Sequence, residues 1–376
     1  MASRENRIAA IDLGRGLAVL FMIGVHVLIT YSTVEVQHSI FGYVIGFLGS
    51  PPAAPVFMTL MGVSFYFSRN TGLAAGIKRG LQIILLGYLL NFLRGVVPVA
   101  LARWWVPATA AGIPDAVANV HDALTELDIL QFAGLSLIVM AILRQLQVNR
   151  YVLLVLAAVT AYVSPMLWGI TSDLPGAAYV LDYLWGDKPS PVECIGNLVS
   201  FPFFPWFTFV LVGMYLGDTL SKSTDPHRTL RRAGLAGAGL LLVGSVIVAP
   251  DLAYQFNDFY HSRPVAMAVM VGFVLAWVYL CDLAVIGAAR LKWGALDSVL
   301  NVLYYWSRNI TSIYVFQWVL IMVGADLLFG FNTSSYLTTI AIIIGVTAAS
   351  HLLNEIYLSI RTRKSGAHAR TPDSPN

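Results

Sequence analysis

Long apolar blocks alternate with short polar ones along the whole chain. Ten blocks reach or approach the run of about 20 apolar residues that a helix needs to cross a bilayer. They cover residues 8–31, 41–67, 81–99, 127–146, 151–170, 198–216, 233–249, 265–286, 302–328 and 336–360. None alternates apolar and polar positions strictly, as a barrel strand would, and in lipid each backbone amide must find its partner within its own segment. The pattern predicts an all-α integral membrane protein of about ten transmembrane helices, or eleven with a re-entrant segment. Prolines at 51, 52 and 55 and at 202 and 205 predict kinks in the second and sixth spans. On this reading residues 1–364 form one polytopic domain and the polar stretch 365–376 is a disordered tail.

Composition agrees with the pattern. Hydrophobic residues make up 57% of the chain and charged residues 11%, against about 25% charged in an average soluble domain. So few charges leave too little polar surface to face water. The net charge of +3 gives no support to a nucleic-acid partner. Seven histidines form no HExxH or Cys/His cluster, so no metal is expected. Cys194 falls outside and Cys281 near the inner side, too far apart for a disulfide.

The placement of the basic residues sets the orientation. Arg4, Arg7, Arg361, Arg363, Lys364 and Arg370 lie at the chain ends, and alternate loops hold Arg69, Lys78, Arg79, Arg144, Arg150, Lys222, Arg228, Arg231, Arg232, Arg290, Lys292 and Arg308. Arg94, Arg103, Lys188 and Arg263 fall on the other side. Cytoplasmic loops carry the excess of Lys and Arg, so both termini are expected in the cytoplasm, with the protein in the cytoplasmic membrane. Arg4 and Arg7 imitate the start of a signal peptide, but Asp12 and Arg15 interrupt the apolar stretch and no small-residue cleavage site follows. The long outer segments 100–126 and 171–197 carry Trp, Pro, Gly and acids. They read either as caps over an outward-facing opening or as loop filler with an aromatic belt.

Charge inside a span is costly and usually marks function. The first span contains Asp12, Arg15 and His26. Asp12 and Arg15 stand three apart, within ion-pair reach on one helix face. Arg15 and His26 stand eleven apart, almost three whole turns, so they share that face about 16 Å apart along the axis. The stripe suits a site that holds an anionic ligand below and moves a proton above. The alternatives are a structural ion pair that locks the span and a core histidine bonded to a carbonyl.

These residues carry a resemblance. Asp12-x-x-Arg15-Gly16, followed by an apolar run ending in a polar residue, resembles the opening span of the transmembrane acyltransferase superfamily. That group includes heparan-alpha-glucosaminide N-acetyltransferase, its bacterial relatives and the bacterial O-acyltransferases that decorate surface glycans. Arg15, ten residues and His26 match the O-acyltransferase signature. Ala54-Pro55-Val56-Phe57 with Met61-Gly62, Asp128-Ile129-Leu130-Gln131 and Phe204-Pro205-Trp206 resemble heparan-type motifs in spans two, four and six. Ser307-Arg308-Asn309 with Tyr314 and Gln317-Trp318 resembles a late motif of both groups. The heparan-type enzymes have about eleven spans, Asn where His26 stands here, and their catalytic His in the loop that here holds His38. The resemblance thus offers two candidate bases. His26 is preferred, because a helix fixes its spacing to Arg15; His38 sits at a loop–helix junction.

The resemblance implies transfer of an acyl group, acetyl by default, from cytoplasmic acyl-CoA to a hydroxyl or amine of an extracytoplasmic saccharide or small molecule. A histidine of near-neutral pKa is suited to take the acceptor's proton. Arg15, Arg69, Lys78 and Arg79 are then candidates for the CoA phosphates, the last three doubling as positive-inside anchors, and Asn309 and Tyr314 are candidates to line the central cavity. His121, Asp122 and Trp206 are candidates on the acceptor side, although the acidic run through Glu126 and Asp128 also reads as the solvated first turn of a helix. Gly234, Ala236, Gly237, Ala238 and Gly239 offer a small-residue surface for packing within one chain or in a homodimer. The rival reading is a transporter or flippase of a polar or lipid-linked solute, since intramembrane charge and broken helices suit both.

Overall fold

The computed structural model describes residues 8–68, 72–98, 100–101, 120–186, 199–256, 258–291 and 293–368, with only the backbone for 121, 175 and 364–368. Apart from two isolated bridges between residue pairs, the regular structure among these is helical. Sixteen helices are numbered here in chain order. They are α1 (Ala9–Tyr31), α2 (Val34–Gln37), α3 (Ile40–Gly49), α4 (Ala54–Tyr66), α5 (Leu73–Asn91), α6 (Val120–Thr125), α7 (Ile129–Gln145) and α8 (Arg150–Leu167). After them come α9 (Pro175–Trp185), α10 (Phe203–Ser221), α11 (Pro226–Val248), α12 (Leu252–Gln255), α13 (Pro264–Leu291), α14 (Gly294–Arg308), α15 (Ile310–Gly324) and α16 (Tyr336–His368). Among the described residues, nine helical segments are long and apolar enough to cross a membrane, and α7, with 17 residues, is apolar but shorter. The ten expected blocks each find a helical counterpart.

Two spans depart from their expected form. The second is two helices, α3 and α4, divided where Pro51 and Pro52 withhold backbone donors. The ninth breaks at Asn309 into an amphipathic α14 and an apolar α15. The expected kink of span six is its start: Pro202 caps α10 and Phe204 is non-helical. Two helices end in a π-helical turn, α5 through Phe92–Val96 and α15 through Ala325–Phe329. The last helix runs on to His368, into the segment expected to be a tail.

Helix α1 is the hub, in contact with α3, α4, α13, α14, α15 and α16. Its one-sided polar stripe and otherwise buried surface explain that place: Leu13, Ala18, Val19, Ile23, Val27 and Tyr31 are all within the core. At one end Ser307 Oγ donates to Asp12 Oδ1 at 2.8 Å. At the other, Tyr31 Oη donates to the carbonyl of Ile321 at 2.5 Å and Ser32 bonds Thr339 at 2.8 Å. Since α16 passes Thr339 first and later reaches Trp306 through His351, at 2.9 Å, it runs antiparallel to α1. The start of α1 and the end of α16 therefore lie at one end of the bundle.

Glycines permit the closest crossing. A Cβ on Gly213 would lie 2.0 Å from the carbonyl oxygen of Thr59, and one on Gly62 2.3 Å from that of Val210, so α4 and α10 touch backbone to backbone. The small-residue face of α11 is used within the chain: Gly234 meets Tyr279 and Gly237 meets Leu275 on α13. Opposite the end that holds the start of α1, the α12–α13 connection is pinned by Asp258 Oδ2 and His261 Nδ1 at 2.7 Å. Against the burial that would raise it, hydrogen bonding and charge from His261 hold the Asp258 carboxyl below the usual carboxylate range.

Overpacking at such a crossing costs about 1–3 kcal/mol. Gly213→Ala is expected to lower stability in that range, read from thermal unfolding of the detergent-solubilised protein, whereas Gly239→Ala, where a Cβ meets open space, should not.

Candidate active site

The charges of α1 fall into two places. Near its start, Asp12 and Arg15 approach to 4.0 Å, Ser307 bonds Asp12, and Arg15 Nη1 reaches Ser64 Oγ at 3.4 Å. This links α1 to the ends of α4 and α14. About three turns further on, the imidazole of His26 stacks on the indole of Trp318, with ring centroids 4.1 Å apart and planes at 29°. Gln317 Nε2 stands 3.4 Å from His26 Nδ1, and Tyr314 meets the imidazole edge-on at 6.2 Å. All three partners lie on α15 within two turns, the spacing that brings side chains to one face.

Behind Trp318 sits a buried charge cluster. The Arg94 guanidinium packs over the indole, 4.7 Å from the ring centroid. Its Nη1 donates to Asp128 Oδ2 at 2.9 Å, and its Nη2 pairs with Glu126 Oε2 at 2.9 Å and reaches Asn91 Oδ1 at 3.3 Å. Tyr314 Oη donates to the same Asp128 Oδ2 at 2.8 Å. Arg94 and Asp128 are 5% and 7% exposed, so the ion pair is desolvated and depends on these bonds for compensation.

Local structure explains how the groups reach each other. The π-helical turn at the end of α5 carries Arg94; one residue per turn more than in an α-helix shifts the side chains that follow. Asn91, one turn earlier, donates through Nδ2 to the carbonyls of Glu126 at 2.7 Å and Leu124 at 3.2 Å, fastening α5 to the α6–α7 junction. Asp128 caps α7: its Oδ1 accepts from the Ile129 amide at 2.7 Å, and Gln131 Oε1 accepts from the Asp128 amide at 3.2 Å. The carboxylate thus serves three clients at once, a helix N-terminus, a guanidinium and a phenol. Tyr179 and Tyr183 of α9 buttress the junction by donating to the carbonyls of Thr125, at 3.0 Å, and Gln131.

A narrow apolar slot of about 20 Å³ opens beside Tyr314 and Gln317, walled by Val19 and Met22 of α1, Phe57 of α4 and Ile129 and Leu130 of α7. It lies beside the α1 segment between the Arg15 and His26 levels.

The other candidate residues stand apart. His38 is exposed at the C-terminus of α2, edge-on to Tyr43 at 6.5 Å. Lys78 and Arg79 are exposed in the first turns of α5. Arg69 lies outside the described residues, as does the side chain of His121, and Asp122 is exposed. Asn309 occupies the break before α15 and donates to the carbonyl of Tyr305 at 2.9 Å. Trp206 is fully buried among Phe201, Phe209 and Phe259 and donates to the carbonyl of Tyr260 at 2.8 Å.

Two expectations are corrected. Arg94, counted with the outer-side cations, is buried in the bundle. Glu126 and Asp128, open to reading as a solvated helix start, face inward on Arg94. The signal available in the sequence was a basic residue within an apolar block and the Asp128–Gln131 capping spacing; nothing local linked the two across the intervening residues.

The arrangement is that of a polytopic helical membrane protein with a histidine-containing polar centre buried in its bundle. The family model for the heparan-alpha-glucosaminide N-acetyltransferase catalytic domain matches residues 7–246, well over half of the chain, and the chain belongs to that family of acetyl-CoA-dependent membrane acetyltransferases. No curated protein and no solved structure gives a significant match.

Removing one member of a buried charge pair costs about 3–5 kcal/mol, because the partner is left uncompensated. Arg94→Met is expected to destabilise the protein by that order in thermal or chemical unfolding. Arg94→Met combined with Asp128→Asn should recover part of the loss, an outcome that independent sites would not give.

Proposed function

We propose that this protein transfers an acetyl group from cytoplasmic acetyl-CoA to a hydroxyl or amine of an extracytoplasmic saccharide or small molecule, with His26 as the base. The observation that carries this reading is the placement of a helix-borne imidazole against Gln317 and Trp318, beside a buried Arg94–Asp128–Tyr314 network, in a chain of an acetyltransferase family. The excess of basic residues at the end that holds the start of α1 and the end of α16 supports a cytoplasmic location for both termini.

The acceptor must lose a proton as its oxygen or nitrogen attacks the thioester carbonyl. His26 takes that proton, the bond to sulfur breaks, and the thiolate leaves with a proton returned from the imidazolium. The Gln317 amide nitrogen, 3.4 Å from Nδ1, donates to it, so the neutral ring carries its hydrogen on Nε2 and Nδ1 is the nitrogen that takes the acceptor's proton as this long contact gives way. Asp128 and Glu126 together outweigh the single charge of Arg94, and this favours the imidazolium that forms as His26 takes the proton. Asp128 and Glu126 keep that guanidinium in place, and Tyr314 orients Asp128. Asp12 and Arg15, at the other end of α1, support donor entry from the cytoplasmic side.

His26→Ala should reduce turnover of acetyl-CoA at least about 100-fold while leaving CoA binding near the wild-type level, measured by acetyl transfer and equilibrium binding on the purified protein. Unchanged turnover, with loss on His38→Ala instead, moves the base to His38. Absence of acetyl-CoA binding in a folded sample favours the transporter reading.

A further inference from the structure

A second cavity lies away from the histidine centre, at the end of the bundle that holds Asp12 and Arg15. It is an open cavity of about 490 Å³, lined by the end of α4, the end of α7, the α7–α8 connection, the start of α8 and the end of α10. Three of its side chains are cations, Arg144, Arg150 and Lys222, against one carboxylate, Asp218. Lys222 pairs with Asp218 at 2.6 Å, so the excess positive charge rests on the two arginines. Arg144 is held by the rings of Phe65 and Tyr66, with its guanidinium carbon 5.7 and 5.1 Å from their centroids. Its Nη1 is buried and has no hydrogen-bond partner among the described residues. A buried guanidinium donor without a partner is costly, and it lies against a cavity large enough to bring one.

The start of α8 adds to the attraction. Asn149 caps this 18-residue helix by accepting from the Tyr151 amide at 2.9 Å, and Asn149, Arg150 and Tyr151 all line the cavity. A helix N-terminus favours anions. An arginine fork presents paired donors that match phosphate oxygens, and Arg150 carries the second fork at the rim. The rings of Tyr66 and Tyr151 line the cavity beside the charges, Tyr151 with the Arg150 guanidinium carbon 5.0 Å from its centroid and its hydroxyl accepting from Arg150 Nη2 at 3.2 Å.

We propose that this cavity binds the phosphorylated nucleotide end of the acyl donor, with Arg144 and Arg150 on its phosphates and Tyr66 or Tyr151 against the base. The assignment rests on the acetyl-CoA reading above. It places the phosphates at one end of α7 while Asp128 caps the other, about 24 Å away along the helix, a spacing suited to a donor whose reactive thioester is carried on a long extended arm. Ser64, which receives Arg15, is two residues from Tyr66, so the cavity adjoins the Asp12–Arg15 site through the end of α4.

The test uses the full chain in nanodiscs of phosphatidylcholine alone, with CoA and adenosine 3′,5′-diphosphate as probes. Both should saturate the wild type, and Arg144→Gln and Arg150→Gln should each weaken both about tenfold or more, with the melting temperature unchanged at least in the variant of Arg150, which stands at the start of α8. Arg231→Gln, an exposed cation at the same end, controls for general charge and should leave both affinities within about twofold. CoA binding at wild-type affinity in both arginine variants overturns the site and leaves the acetyltransferase reading intact. Failure of the wild type to bind CoA or acetyl-CoA overturns both. If phosphatidylglycerol added to the disc displaces adenosine 3′,5′-diphosphate while CoA still binds Arg144→Gln normally, the cavity is a lipid-phosphate site and the nucleotide assignment falls.

Discussion

A guanidinium inside an apolar bundle must be compensated on every side, and Arg94 imposes that requirement on three separate parts of the chain. Its partners come from the junction ahead of α7, from α5 itself and, through Asp128 and Trp318, from α15. Each partner is in turn held by backbone: Asp128 by the α7 amides, Asn91 by the carbonyls of Leu124 and Glu126. The two carboxylates, the phenol and the indole therefore have little freedom to be elsewhere, and the position of Trp318 fixes the plane on which His26 stacks. The histidine centre is in this sense built from the charge outward.

The same site relies on interrupted helices. Regular α-helices crossing the whole bundle would present complete rows of paired amides and apolar side chains. Here α5 and α15 finish in π-helical turns, α7 begins with a side-chain cap in place of another helical turn, and the ninth span restarts after Asn309. Each interruption frees backbone groups that side chains then satisfy, and each brings a polar residue to a depth where a continuous helix would place an apolar one.

Much of the fold was legible because bilayer crossing demands length and hydrophobicity, which are local properties. Every long block became a helix or a helix pair. The division of the second span was announced by Pro51 and Pro52; that at Asn309 was not, because neither Pro nor Gly marks it and Ser307, Asn309 and Ser312 satisfy nearby groups by side-chain bonds. Within the site, Asp12, Arg15 and His26 were visible because one helix sets their spacing. Tyr314, Gln317 and Trp318 were visible as a motif, without any sign that they face His26. Arg94 and Glu126 were misplaced because their burial depends on a contact between α5 and the α6–α7 junction, and such pairing across distant segments has no period for a sequence to display.

Helix α1 has a mechanical character that the divided spans beside it lack. It runs from Ala9 to Tyr31 without proline, π-turn or break, while the second and ninth spans beside it are each divided. Asp12 and His26 are thus mounted on one stiff shaft whose bearings are the divided spans. A push of an ångström at the carboxylate end cannot be absorbed along the shaft; it must appear as a similar displacement of the imidazole against Trp318. The carboxylate and the imidazole are joined by a coupling with little backlash.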